Sequence, residues 1–321
     1  MHSLLSTIDV ADEPIVNRAR EICRRDIEGD VTEEVVRHIN AALGTDMATA
    51  VLYAHFESKL LAGQQGHHRP RHQRDCGRPL LVAIVPGAFY KEHPQTRGDG
   101  RELIELSARH DWRCERIPCE SLGTLAQNAA IINDYLRDQL RCYRVILVSL
   151  SKGTMDATMA QRVEPELFRD LIGWVSVSGI PRGTKMADWL LDRWRLRPVF
   201  KLMLWYHGAD RQAVQDLRHN SAEQAERASG EPPIPMVHVS AFPMRRHLSC
   251  WRARLWYQRF RRDGPNDSVV MLADMLRLPG VVIPVWGTDH YLRGRWKVSQ
   301  AVARIVALLA GGEAVDDDSA A

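Results

Sequence analysis

Ser151 stands between Ser149 and Gly153 in the run SLSKG, directly after the apolar stretch Val145–Leu150. A serine hydroxyl is a poor nucleophile at neutral pH; it needs a base in hydrogen-bond reach, and the base needs an orienting group. A strand, a serine, a tight turn and a helix lift such a hydroxyl clear of a sheet edge. Small residues at both ends of the turn let strand and helix pass closely. Here they are Ser149 and Gly153, so the pattern is S-x-S-x-G, one residue from G-x-S-x-G. A plainer role for the same serine is to cap the following helix.

The base must be chosen among 13 histidines, so position decides rather than presence. His290 lies just past the apolar run Val281–Trp286, in a loop that shares a sheet edge with Ser151 if both runs are parallel strands. Asp267, in GPNDSVV, can place a carboxylate on that imidazole, fix its tautomer and stabilise the imidazolium. An Asx turn or a helix cap is the ordinary use of such an aspartate. Asp274 and Asp289 are rivals for the same role. A developing oxyanion needs N–H donors, each worth about 3–4 kcal/mol. Lys152 at the helix start offers one backbone N–H. Ala88 or Phe89, in the turn PGAFY, offers another, and Gly87 lets that backbone approach a ligand closely.

These groups need a scaffold that brings strand ends together. Leu80–Val85, Val145–Leu150 and Val281–Trp286 are short apolar runs without polar alternation, as expected of strands buried on both faces. Trp112–Ile117, Trp174–Ser178 and Pro235–Phe242 add three further strands. Helical stretches fall between them at Leu103–His110, at Leu125–Leu140 and after Ser151. This alternation predicts an α/β fold with a doubly wound, mostly parallel sheet. In such sheets ligands bind beyond the carboxyl ends of the strands, which is where Ser151 and Pro86–Tyr90 fall.

Residues 1–66 form a helical N-terminal extension, with periodic apolar positions over Ile15–Ile27, Thr32–Leu43 and Asp46–Leu61. Asp30 or Thr32, and Thr45 or Asp46, are the candidate N-caps. Residues 67–79 are a breaker-rich linker. His67, His68, His72 and Cys76 there match no common zinc spacing. The core domain spans 80–312, and about 179–234 reads as an inserted helical cap carrying Trp189, Trp194, Phe200, Trp205 and Tyr206. The stretch 244–262 mixes arginines with aromatics, and Leu248, Trp251 and Leu255 are expected on the buried face of an amphipathic helix. A closing helix covers Arg295–Leu309, and the tail 313–321 is expected to be disordered.

Net charge is +3, too balanced to imply nucleic acid or an anionic surface by itself. Six cysteines without a C-x-x-C pair read as mostly reduced, buried thiols. No stretch resembles a signal peptide or a membrane span, so a cytoplasmic location and no integral membrane association are expected. No metal and no organic cofactor are implied.

Four pieces together, PGAFY, SLSKG, PNDSVV and WGTDHYL, resemble the lipase and esterase-like branch of the α/β-hydrolase superfamily over about residues 80–310. The order Ser151, Asp267, His290 matches the Ser…Asp/Glu…His order of that superfamily. Ser149 in place of the first elbow glycine departs from it. The resemblance implies a serine hydrolase of small acyl esters or thioesters. The same three residues would also suit an acyltransferase, and a non-catalytic binding protein on this fold is the alternative of another class.

Overall fold

The computed structural model describes residues 8–27, 30–63, 77–109, 112–193, 211–219, 234–293 and 297–311. Six strands form one all-parallel sheet: β1 (Leu80–Val85), β2 (Arg113–Arg116), β3 (Arg144–Leu150), β4 (Gly173–Val177), β5 (Met236–Phe242) and β6 (Val281–Trp286). Their order is β2-β1-β3-β4-β5-β6. The chain leaves β1 for the edge strand β2, then recrosses to β3 and proceeds outward. β1 and β3 therefore flank the point where the winding reverses, where the strand-end loops part to form a crevice. The strands lie within one or two residues of their expected bounds, because runs such as LLVAIV and VILVSL suit only a sheet covered on both sides.

The helices α4 (Arg101–Ser107), α5 (Leu125–Gln139), α6 (Gly153–Val163), α7 (Pro165–Arg169) and α11 (Val298–Ala310) supply that cover. α4 and α11 pack Leu103, Val302 and Ile305 on Ile84, Val148 and Val175. On the opposite face α5, α6 and α7 pack Ile132, Ala157 and Phe168 on Ala83, Leu147 and Trp174. Successive strand residues thus serve opposite cores, as the two-residue period requires.

The N-terminal helices are α1 (Glu13–Arg25), α2 (Glu33–Leu43) and α3 (Thr45–Leu61). They share a core with Phe242 of β5 and with Val282 and Trp286 of β6. α3 is apolar on nearly every side, which suits a helix enclosed between layers rather than one lying on a surface. Its Tyr53 meets Trp286 edge-on, with ring centroids 5.1 Å apart. Thr32 caps α2, accepting from the Val35 N–H at 3.3 Å. The residue before α3 is Gly44, so neither Thr45 nor Asp46 is its cap; Thr45 instead donates to the Arg261 carbonyl at 3.1 Å. Asp12, buried at the start of α1, accepts from the Trp286 indole at 2.9 Å and contacts His247 Nε2 at 3.0 Å. Arg246 lies on its other oxygen.

Of the segment 179–234, α8 (Lys185–Asp192) and α9 (Arg211–Gln215) are described. Ala187, Leu191 and Val214 join them in a small cluster. Trp194, Phe200, Trp205 and Tyr206 lie outside the described residues, as do His67, His68, His72, Cys76 and the tail 313–321. Among the described residues no helix is long and apolar enough to cross a membrane.

The helix in the basic stretch is α10 (Trp251–Phe260), and its buried face differs from expectation. Ala253, Tyr257 and Phe260 face the core, while Trp251 and Leu255 are 68% and 55% exposed. Leu248 is buried, but it precedes the helix. Two apolar rows compete on this helix. The phenol of Tyr257 donates to buried-side Asp46 at 2.6 Å and decides between them.

His238, enclosed in β5, contacts the Pro279 carbonyl through Nε2 at 2.9 Å, and burial pushes its pKa down to about 4. The folded chain resists a proton that the unfolded chain accepts below about 6.5. Its contribution is therefore intact above that value and lost as pH falls towards 4. Denaturant unfolding at pH 5 should show about 2 kcal/mol less stability from this group than at pH 7.5. His55 and His247, also lowered to about 4 by burial, act in the same direction. A flat profile over that range would contradict the assignment.

Candidate active site

The turn after β3 places Ser151 in the left-handed region, at φ 48°. A non-glycine residue there is strained and persists only where its surroundings hold it. The Ser151 N–H donates to the Val177 carbonyl at 3.0 Å, and the Ser151 carbonyl accepts from Thr154 at 3.1 Å. Gly153 opens α6 against β1. A Cβ at that position would lie 2.5 Å from the Val85 carbonyl oxygen and 2.6 Å from that of Pro86. Both are backbone atoms and cannot swing aside. Gly153→Ala should cost about 1–3 kcal/mol as overpacking, measurable as a lower denaturation midpoint.

Ser149, which stands where the elbow pattern has glycine, has buried partners of its own. Its hydroxyl accepts from the Trp174 indole at 2.8 Å and bonds Thr154 Oγ1 at 2.9 Å, and Thr154 bonds Ser176 at 2.9 Å. This buried chain of hydroxyls ties β3, β4 and α6 together beneath the turn. A glycine at 149 could not make it.

The loop after β6 carries His290 back over Ser151. The Ser151 hydroxyl lies 3.0 Å from His290 Nε2, and His290 Nδ1 lies 2.9 Å from Asp267 Oδ2. A carboxylate only accepts, so Nδ1 carries the proton and the Nε2 lone pair faces the hydroxyl. The other oxygen of Asp267 accepts from the N–H groups of Val269 and Val270 at 2.9 and 2.7 Å. The ordinary Asx role and the contact to histidine are both filled, by different oxygens. The His290 N–H also donates to the Asp267 carbonyl at 3.1 Å, fastening the two loops to each other.

The rival acids are engaged elsewhere. Asp274 contacts Arg182 at 3.2 Å and His219 at 2.8 Å. Asp289 accepts from both the N–H and the hydroxyl of Ser249 at 2.7 Å.

Beside Ser151, the Lys152 side chain turns inward and is 2% exposed. Its ammonium donates to both oxygens of Asp156 at 2.7 and 2.9 Å, and Asn128 donates to the same carboxylate at 3.0 Å. Desolvation raises the Asp156 carboxyl above its ordinary value; Lys152 and Asn128 draw it back. Nothing local to SLSKG announces this pair, in which Lys152 contributes its side chain as well as its backbone. The i, i+4 spacing to Asp156 on α6 was the available signal.

A cavity of about 610 Å³ opens over these groups. Ser151 and His290 are on its wall, Ala88 and Phe89 line it from the turn after β1, and Met186 of α8 and Trp256 of α10 line it as well. Trp189 of α8 meets Trp256 edge-on, with centroids 5.2 Å apart. The backbone N–H groups of Lys152 and Ala88 donate to no described residue. A hollow of about 650 Å³ lined by Pro14, Asp46, Arg245 and Arg254 contains none of this chemistry. Among the described residues no cluster of histidine, cysteine and carboxylate side chains could hold a metal ion.

A parallel sheet wound outward from β1 and β3, with its serine on a strained turn after β3 and its histidine after the last strand, is the α/β-hydrolase fold. Solved structures bear out the likeness. A metagenomic carboxyl esterase superposes with a TM-score of 0.52 at 18% identity, covering 70% of this chain and 70% of that one. A Bacillus licheniformis lipase in its mature form gives 0.51 at 17% identity, covering 67% and 85% respectively. The propeptide form of that lipase gives 0.55 at 17% identity, covering 76% of this chain and 52% of the other. No sequence-family description matches the chain, and no curated protein matches it.

Proposed function

We propose that this chain is a serine hydrolase of carboxylic esters or thioesters. The reading is carried by one observation: the unbroken hydrogen-bonded line from Ser151 through His290 to Asp267 at the wall of a largely apolar cavity. Ser151 attacks the acyl carbon as His290 Nε2 takes its proton. Asp267 keeps the imidazole oriented and stabilises its charged form. The Lys152 and Ala88 N–H groups, with Phe89 beside them, receive the developing oxyanion. His290 then passes the proton to the leaving alcohol or thiol. Water, activated by the same imidazole, releases the acid from the acyl-enzyme.

The carboxyl esterase and lipase folds noted above support this choice of reaction, and the apolar cavity wall favours an uncharged acyl group. A fluorophosphonate probe should label the folded protein at Ser151, with the adduct located by peptide mass. A panel of p-nitrophenyl esters of graded acyl length would then give the preferred chain. Absence of labelling, together with no turnover across the panel, would refute the reading.

A further inference from the structure

α10 presents an outward face that the core does not use. Trp251 and Leu255, one helical turn apart, are 68% and 55% exposed, and Arg259 follows at the next turn. Arg252 and Arg254 flank this row, and Arg261 and Arg262 follow the helix; all are exposed. No aspartate or glutamate occurs between Met244 and Arg262. Among the described residues Arg254, Arg259 and Arg262 form no ion pair. The opposite face of the same helix is fixed in place by Ala253, Tyr257 and Phe260. Two side chains of α10, Arg252 and Trp256, line the cavity that holds Ser151.

We propose that α10 is a docking surface for an anionic lipid bilayer. A protruding tryptophan and leucine rimmed by arginines matches the boundary between headgroups and acyl chains. Apolar tips enter the acyl layer there while guanidinium groups stay among the phosphates. The absence of acidic residues gives charge complementarity to lipid phosphate along the whole helix. Nucleic acid offers the same phosphates but nothing that gains from covering Leu255. Docking in this pose sets the cavity beside the lipid surface. The binding itself does not depend on Ser151 acting as a nucleophile.

The test is co-sedimentation of the full chain with vesicles of phosphatidylcholine alone and of equal parts phosphatidylcholine and phosphatidylglycerol. Partition onto the anionic vesicles is expected to exceed that onto the neutral ones by at least about tenfold and to fall steeply with added salt. The pair Arg254→Gln and Arg259→Gln should weaken it about 30-fold, from about fivefold per arginine. The pair Trp251→Ser and Leu255→Ser should weaken it about tenfold. These side chains are exposed, so melting temperatures should match the parent. Ser151→Ala should bind vesicles as the parent does, which separates this proposal from the hydrolase reading. Equal partition onto both vesicles, no partition onto either, variants that bind unchanged, or preferential binding to an oligonucleotide would each overturn it. The salt response of the unaltered chain provides a reading that needs no variant.

Discussion

Ester turnover is expected to fall by about 10⁶-fold when Ser151 is replaced by alanine, with the protein still folded. The size follows from how the three groups depend on one another. Without the hydroxyl, His290 has nothing to deprotonate, and the cavity and N–H donors can only bind the ester. His290→Ala should cost nearly as much, and the double variant little more than either, because the groups act as a unit. Asp267→Asn is subtler. Its oxygen can still accept from Val269 and Val270 at the positions now filled at 2.9 and 2.7 Å. Its amide then faces His290 Nδ1 with a donor. The imidazole must take the other tautomer, and Nε2–H would point at the serine. A loss of about 10⁴-fold is expected from that reversal. Steady-state kcat on a soluble p-nitrophenyl ester, with unfolding curves for each variant, checks the series. A Ser151→Ala enzyme retaining even a tenth of the turnover would refute the assignment.

Asp156→Asn is expected to lower stability by about 3–5 kcal/mol, the cost of leaving a buried ammonium without its counter-charge. Lys152 is 2% exposed and Asp156 1%, so neither can reach water without opening the turn. Against a total of about 5–15 kcal/mol for a folded domain, that loss is a large share. Adding Lys152→Met should recover much of it. The charge is then gone, and the new amide at 156 still accepts from Asn128. Guanidinium unfolding of the two variants side by side gives the comparison. If the single variant were as stable as the parent, the pair would have to be neutral or hydrated. The consequence would reach the site, because the backbone of Lys152 is part of the turn that holds Ser151.

Most of the scaffold could be read from the residues. The buried strands stood out as short unbroken apolar runs and the helices between them by their spacing, and Ser151 stood directly after one of those runs. The choice among Asp267, Asp274 and Asp289 could not be made that way. Each follows β5 and sits near a turn, and what separates them is which partner the fold puts opposite. Arg182 and His219 face Asp274, while Ser249 faces Asp289. Ser149 was legible only as a departure from glycine, since its partner Trp174 is distant in sequence. The buried face of α10 was not legible, because Trp251 and Leu255 share the same four-residue spacing as Ala253 and Tyr257. Periodicity cannot say which of two apolar rows meets the core. The phenol of Tyr257, seated on Asp46 of the N-terminal helices, settles it through a contact between segments about 200 residues apart.

The hold of Asp12 on Trp286 reaches further than the packing of α1. Trp286 is the last residue of β6, and the loop it releases carries His290. Shortened versions that start near residue 67, drawn up to keep only the sheet and its flanking helices, would bare Phe242 and Trp286 to water. They would also unmoor the strand from which the imidazole hangs. Such trimmed chains should self-associate through the uncovered aromatics and lose the alignment of His290 with Ser151, although every residue of the proposed triad would still be present.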